Sequence, residues 1–208
     1  MNVAVIGATG KTGQRVTAEL LQRGHHVTAV VRNPSKVQNH KNVSVVTSDL
    51  SDAKQIADAL KGTDAVVSAY GAPAGDVEQV IGVTRRITDA VKQNKQRLLV
   101  VGGAASLFVA PGVTVLASGF LPEFAIPIAT VHGKVLEELR HSDADWTYFS
   151  PAGLFEPGER TSKFRLGKDD LIADSSGNSR ISMEDYAIAA VDELEKPAHR
   201  RERFTIGY

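Results

Sequence analysis

The 208-residue sequence contains no cysteine. That excludes a disulfide framework, a thiolate nucleophile and a thiolate-ligated metal, and it fits a reducing compartment. It also lacks an excess of either charge, because 24 Lys and Arg balance 24 Asp and Glu. Without a basic field, nucleic acid is not an expected partner and a small molecule is. No apolar run approaches the roughly 20 residues that span a bilayer. An apolar strand already begins at Asn2, leaving no room for a signal peptide, so the expected location is cytoplasmic and away from membranes. His-Glu-x-x-His and Gly-x-Ser-x-Gly are both missing, so neither a metal site nor a serine hydrolase is expected. Linkers, repeats and low-complexity tracts are absent too, which predicts one domain over residues 1–208.

What is present is an ordinary core-forming composition, 42% hydrophobic and 23% charged. Its most informative stretch is Gly7-Ala8-Thr9-Gly10-Lys11-Thr12-Gly13, directly after the apolar Val3-Ala4-Val5-Ile6. A buried strand that ends in glycines and opens a helix presents unpaired N–H groups and a positive helix end to a pyrophosphate. Residues 12–22 place Val16, Leu20 and Leu21 on one helical face, and Gly24 stops the helix before a strand over 26–31. A nucleoside-triphosphatase loop needs a glycine five residues before Gly10, where Val5 stands inside the strand. A glycine turn that merely shapes the connection is the competing reading.

The alternation continues with strands over 43–47, 65–69 and 98–101 and helices over 52–60 and 77–93. It predicts an α/β fold, a Rossmann-type doubly wound parallel sheet. Ligands of such sheets sit beyond the carboxyl ends of the strands, which gathers Gly7 to Gly13, Arg32, Asp49, Leu50, Tyr70, Gly71, Gly102 and Gly103 on one edge. Residues 104–127 lose periodicity. This apolar loop, with Leu107, Phe108, Phe120 and Phe124, is expected to wall a substrate, a dimer contact or plain packing being the alternative. A helix over 130–141 and a strand over 146–149 follow, and residues from about 151 onward are expected to form a small C-terminal cap, including a helix opened by Ser182.

At the end of the second strand, where an acidic residue binds the ribose of NAD, stands Arg32, with Asn33, Ser35 and Lys36 behind it. Positive charge there favours NADP over NAD, although a solvated Arg-Lys turn would look the same. Asp49 and Leu50 are placed beside the adenine, with helix capping by Asp49 or Ser51 as the alternative.

These residues resemble the atypical short-chain dehydrogenases/reductases, and within them the NmrA-like group. The nearest likeness is to bacterial proteins provisionally called NADH-flavin reductases, of the flavin/biliverdin reductase B type. The carriers are the stretch 7–13, Val31-Arg32-Asn33-Pro34, Val100-Val101-Gly102-Gly103-Ala104, and Trp146-Thr147-Tyr148-Phe149-Ser150-Pro151-Ala152; Glu156-Pro157-Gly158-Glu159-Arg160 and Asn178-Ser179-Arg180-Ile181-Ser182 narrow it further. The wider superfamily uses Tyr-x-x-x-Lys with a serine. Here Lys134 matches the lysine, but Thr130 replaces the tyrosine, and Gly103 stands where the serine belongs, with Ser106 three residues on. Threonine is a poor acid, so alcohol-forming chemistry is disfavoured, whereas a flavin or quinone delocalises the charge it receives.

The resemblance thus implies an NAD(P)H-dependent oxidoreductase that transfers hydride to a flavin or quinone-like acceptor. FMN or FAD would be substrate rather than bound cofactor. On this reading Gly7, Thr9, Gly10, Lys11, Thr12 and Gly13 hold the pyrophosphate, while Gly102, Gly103, Pro151 and Ala152 frame the nicotinamide. Leu107, Phe108, Phe120, Phe124 and Phe155 stack the acceptor. Ser106, His132 and Lys134 are the candidate catalytic groups, His132 titrating near neutrality unless it is only a surface histidine. The protein would act as a monomer or homodimer. The alternative is a non-catalytic NAD(P)-sensing protein of NmrA-like type that binds a protein partner.

Overall fold

The computed structural model describes residues 1–72 and 75–208. Its first half alternates strand and helix as β1 (Asn2–Ile6), α1 (Lys11–Gln22), β2 (His26–Val31), β3 (Val43–Thr47), α2 (Ala53–Leu60), β4 (Ala65–Ser68), α3 (Gln79–Asn94) and β5 (Arg97–Val101). The second half contains β6 (Phe108–Ala110), β7 (Val113–Thr114), α4 (Ile126–Arg140), β8 (Asp145–Ser150), β9 (Leu154–Glu156), β10 (Arg165–Gly167), β11 (Arg180–Ser182), α5 (Met183–Glu195) and β12 (Glu202–Gly207). No helix among the described residues is long and apolar enough to cross a membrane.

Eight strands form one sheet in the order β10-β12-β8-β5-β4-β1-β2-β3. All its pairings are parallel except that of β10 with β12. Both faces are covered, and the pleat divides each central strand between them. Val3 and Val5 of β1 join the core under α1 and α5, while Ala4 and Ile6 join the core under α2, α3 and α4. The chain leaves β1 for β2 and β3 on one side, then crosses to β4 on the other. That reversal opens a crevice at the carboxyl ends of β1 and β4.

Two regions depart from the periodicity. Within 104–127, read as a loop without elements, β6 and β7 form a hairpin tied to the chain near Asp169; the Phe108 N–H donates to the Asp169 carbonyl at 2.8 Å. The following helix begins at Ile126 rather than at 130. Pro127 masks that start in the sequence, yet proline is tolerated in a first turn, where its missing N–H would have had no partner.

The segment after 151 is less of a cap than expected. β12 enters the main sheet between β8 and β10, and α5 packs beside α1 over the same core. Only the β9–β11 pair and its connecting loops remain outside the sheet. Phe204 and Ile206 reach the α1 and α5 side, while Arg203 and Thr205, which alternate with them along the strand, are also buried. Ser182 opens α5 by accepting the Asp185 N–H at 3.0 Å. The reciprocal half of a capping box is not made, since the Asp185 carboxylate turns to the Thr161 and Ser162 N–H groups and the Tyr208 hydroxyl.

Candidate functional site

β1 ends at the crevice, and the backbone must turn sharply to start α1. Gly7 takes φ +77, and a Cβ there would stand 2.5 Å from the Ala69 carbonyl oxygen. Glycine alone fits. Gly10 caps α1 without any side-chain bond, so first-turn N–H groups are free for an anion. Gly7, Thr9, Gly10, Lys11 and Thr12 line a cleft of about 500 Å³. Gly13 does not line it. A Cβ on Gly13 would come within 2.1 Å of the Gly7 oxygen, so this glycine lets α1 rest on the turn instead of touching a phosphate.

One end of the cleft is formed by Val30, Val31, Arg32, Asn33, Lys36, Ser48 and Leu50. Leu50 is buried in a left-handed conformation, φ 64, that its side chain disfavours. Its N–H donates to Ser48 Oγ at 3.1 Å and its carbonyl accepts from Arg86 Nε at 2.8 Å. Ser48 carries no sequence signal, because its importance lies in this one bond. Asp49 does not line the cleft. Hydrogen bonds from the Ser51 hydroxyl and N–H hold its carboxyl below the ordinary value. Neither Asp49 nor Ser51 caps α2; Asp52 does, accepting the Gln55 N–H at 2.7 Å. Tyr70 and Gly71 form part of the wall.

At the other end lie Val101, Gly102, His132 and Phe155. A buried tyrosine of β8 organises them. A Cβ on Gly102 would meet the Tyr148 ring at 2.3 Å, so that glycine is required by packing. The Tyr148 hydroxyl accepts the Gly103 N–H at 3.0 Å and donates to the His132 carbonyl at 3.1 Å, with His132 Nδ1 at 3.5 Å. The Gly103 N–H is therefore spent inward and Gly103 does not line the cleft. Burial pushes the His132 pKa down to about 4, so the imidazole is neutral at pH 7. It does not titrate near neutrality as the sequence suggested.

The remaining candidates are not brought to the cleft. Lys134 is exposed, 3.3 Å from Glu78, and the Thr130 hydroxyl donates to the Ile126 carbonyl within its own helix. Ser106 Oγ accepts from Arg203 at 3.3 Å. Pro151 and Ala152 are buried, Ala152 in the core beneath α1 and α5. Of the expected apolar wall, Leu107 is fully buried, Phe108 belongs to the hairpin, and Phe120 and Phe124 face outward, 81% and 85% exposed. Phe155 alone lines the cleft, its ring 4.8 Å from that of Tyr186. An apolar letter does not say which way it points.

A glycine turn at the switch point, an uncapped helix start and a cleft running along the strand ends are the geometry that suits a dinucleotide. Residues 7–197 match the family described as NAD(P)H-binding. The chain belongs to that NAD(P)H-binding family. Its Rossmann-type architecture is that of the atypical short-chain dehydrogenases/reductases. Bacillus subtilis YwnB, an uncharacterised protein, is 42% identical, with 99% of this chain and 98% of that one aligned. Two solved structures superpose over 100% of this NAD(P)H-binding chain. One, from Bacteroides thetaiotaomicron and provisionally described as an epimerase, is 45% identical with TM-score 0.94 and 96% of its own chain covered. The other, from Streptococcus pneumoniae and provisionally described as an NADH-flavin reductase, is 34% identical with TM-score 0.90 and 99% covered.

Proposed function

We propose that this NAD(P)H-binding protein is a reductase that passes hydride from NADPH to a flavin or quinone-like acceptor. The observation that carries the reading is the chemistry at the Gly102 end of the cleft. Phe155 offers an apolar ring, and His132 is neutral. Lys134 and Ser106 are engaged elsewhere. Making an alcohol from an isolated carbonyl needs a proton delivered to an alkoxide, a step worth roughly 10²–10⁴-fold. A quinone or flavin spreads the incoming charge over its ring system. Two electrons and one proton arrive as hydride, and water supplies the second proton, so the protein need only hold two flat rings together.

Likeness to the Streptococcus pneumoniae protein supports this reading. The description of the Bacteroides protein as an epimerase does not carry over, because Thr130 stands where the proton-transferring tyrosine of the superfamily belongs. Arg32 and Lys36 at the β2 end of the cleft favour the 2′-phosphate of NADP. Flavin is then a substrate that comes and goes, and the reductase works in the cytoplasm as a monomer or homodimer, without nucleic acid or membrane. The test is NADPH oxidation by purified protein, with and without FMN or a small quinone. Acceptor-dependent turnover is expected; its absence with every flavin and quinone tried would remove the proposal.

A second reading is a non-catalytic NAD(P) sensor that binds a protein partner. Exposed Phe120 and Phe124 favour it. Tight NADPH binding without turnover would make it the leading reading.

A further inference from the structure

The Tyr148 hydroxyl is one buried polar group that touches both sides of the reacting end of the cleft. It takes the Gly103 N–H at the end of β5 and reaches the His132 carbonyl on α4. Its ring fills the space that Gly102 leaves empty. The cleft floor and the imidazole are thereby fastened to the same side chain. His132 is further confined, since its Cβ and Cγ lie 3.1 and 3.2 Å from where a Cβ of Gly103 would be.

The two nitrogens of His132 have different surroundings. Nδ1 faces inward, 3.5 Å from the Tyr148 oxygen. Nε2 pairs with no protein group among the described residues, nor is it one of the sealed-in polar atoms without partners. The residue lines the cleft. Nε2 is thus the edge offered to a ligand.

We propose that Tyr148 is a positioning residue which, by sharing its hydroxyl proton between the His132 carbonyl and Nδ1, keeps His132 in the Nε2–H form and aims that N–H at a carbonyl oxygen of the hydride acceptor. This deepens the reductase reading and rests on it. The acceptor class it selects is one whose hydride-accepting atom is conjugated to a carbonyl, as in a quinone. As hydride leaves NADPH, negative charge gathers on that oxygen, and a fixed N–H stabilises it without giving up its proton. Water then protonates the oxygen, and NADP⁺ departs. Tyr148 cannot act as the acid itself, because it is sealed from the cleft and burial raises its pKa well above the ordinary tyrosine value.

The experiment uses NADPH and a small quinone with the wild type, Tyr148→Phe, His132→Ala and the double variant. Phenylalanine keeps the ring against Gly102, and an unchanged NADPH affinity reports that the fold is kept. Each single variant is expected to lose about tenfold in kcat, as for loss of one hydrogen bond to a charged group, and the double variant should lose no more than His132→Ala alone. Separately, ¹⁵N shifts of His132 in the NADPH complex should show the Nε2–H form in the wild type and a mixture in Tyr148→Phe. Undiminished kcat in Tyr148→Phe, losses that multiply in the double variant, or an Nδ1–H wild type would each overturn the proposal. If the wild type turns over no acceptor, the reductase reading fails, while the shifts still decide whether Tyr148 sets the tautomer.

Discussion

Arg32 and Lys36 put two positive side chains at the β2 end of the cleft, with no carboxylate among the residues lining it. On the proposed reading, a dinucleotide carrying a 2′-phosphate would gain charge-assisted bonds there that NADH cannot make. Arg32→Ala should weaken NADPH binding by about 1.5–3 kcal/mol, the range for hydrogen bonds to charged groups, and leave NADH nearly unchanged. Paired titrations of the two cofactors check this, and equal losses would remove the argument for NADP. Arg32 was legible in the sequence because strand ends and ligand edges coincide in this fold. The glycines were legible because backbone contact demands them. The protonation state of His132 was not, because it depends on α4 packing the half-buried imidazole against Gly103, and helical periodicity says nothing of that. Ser48 and Tyr148 stayed hidden for the same reason, Ser48 acting through one turn-making bond and Tyr148 through long-range bonds to Gly103 and His132.

At the scale of elements, two glycines in helices make opposite demands. In α1, a Cβ on Gly13 would drive into the Gly7 oxygen at 2.1 Å, so the helix could keep its place only by distorting the phosphate turn. In α4, Gly133 has nothing within 4 Å of a Cβ. Gly13→Ala should therefore cost about 1–3 kcal/mol or more, as overpacking does, and weaken NADPH binding with it. Gly133→Ala should gain about 0.5–1 kcal/mol from helix propensity. Urea unfolding measures both, and the same sign for the two would contradict the packing described. The buried strands were legible as continuous apolar runs, and α1 and α2 from their periodicity. β6, β7 and the early start of α4 were not. The hairpin is short and pinned by distant Asp169, and Pro127 looks like a stop when it is in fact a first-turn residue.

Across the whole molecule, α1 and the chain that follows it are clasped to the C-terminal third by ion pairs. Arg15 meets Glu184, Arg23 meets Asp192 and Glu195, and Arg160 reaches back to Glu19. Burial works against the Glu19 carboxylate, but Arg160 and Arg23 more than offset it and hold its pKa below the ordinary value. Burial is likewise outweighed at Glu184 by bonds from the Gly158 N–H and Arg15. A carboxyl whose folded pKa is depressed stabilises the fold above its unfolded value, near 4.5, and that contribution is lost as pH falls through the folded pKa. His132 acts over a higher window. Its pKa drops from 6.5 to about 4 on folding, so between those values the unfolded chain binds the extra proton and stability falls with pH. Stability is expected to decline from about pH 6.5 downward and more steeply below 4.5. His132→Gln should flatten only the upper part, and unfolding curves across pH would show it; an unchanged slope there would contradict a neutral, half-buried imidazole.

β12 is the last strand in the chain, yet it sits between β8 and β10 rather than at an edge. β8 and β10 have no pairing of their own and are joined through β12, parallel to one and antiparallel to the other. Loosening β12 would therefore unfasten β10 and bare the edge of β8 in one step, so a single strand is the hinge pin of that whole side of the sheet.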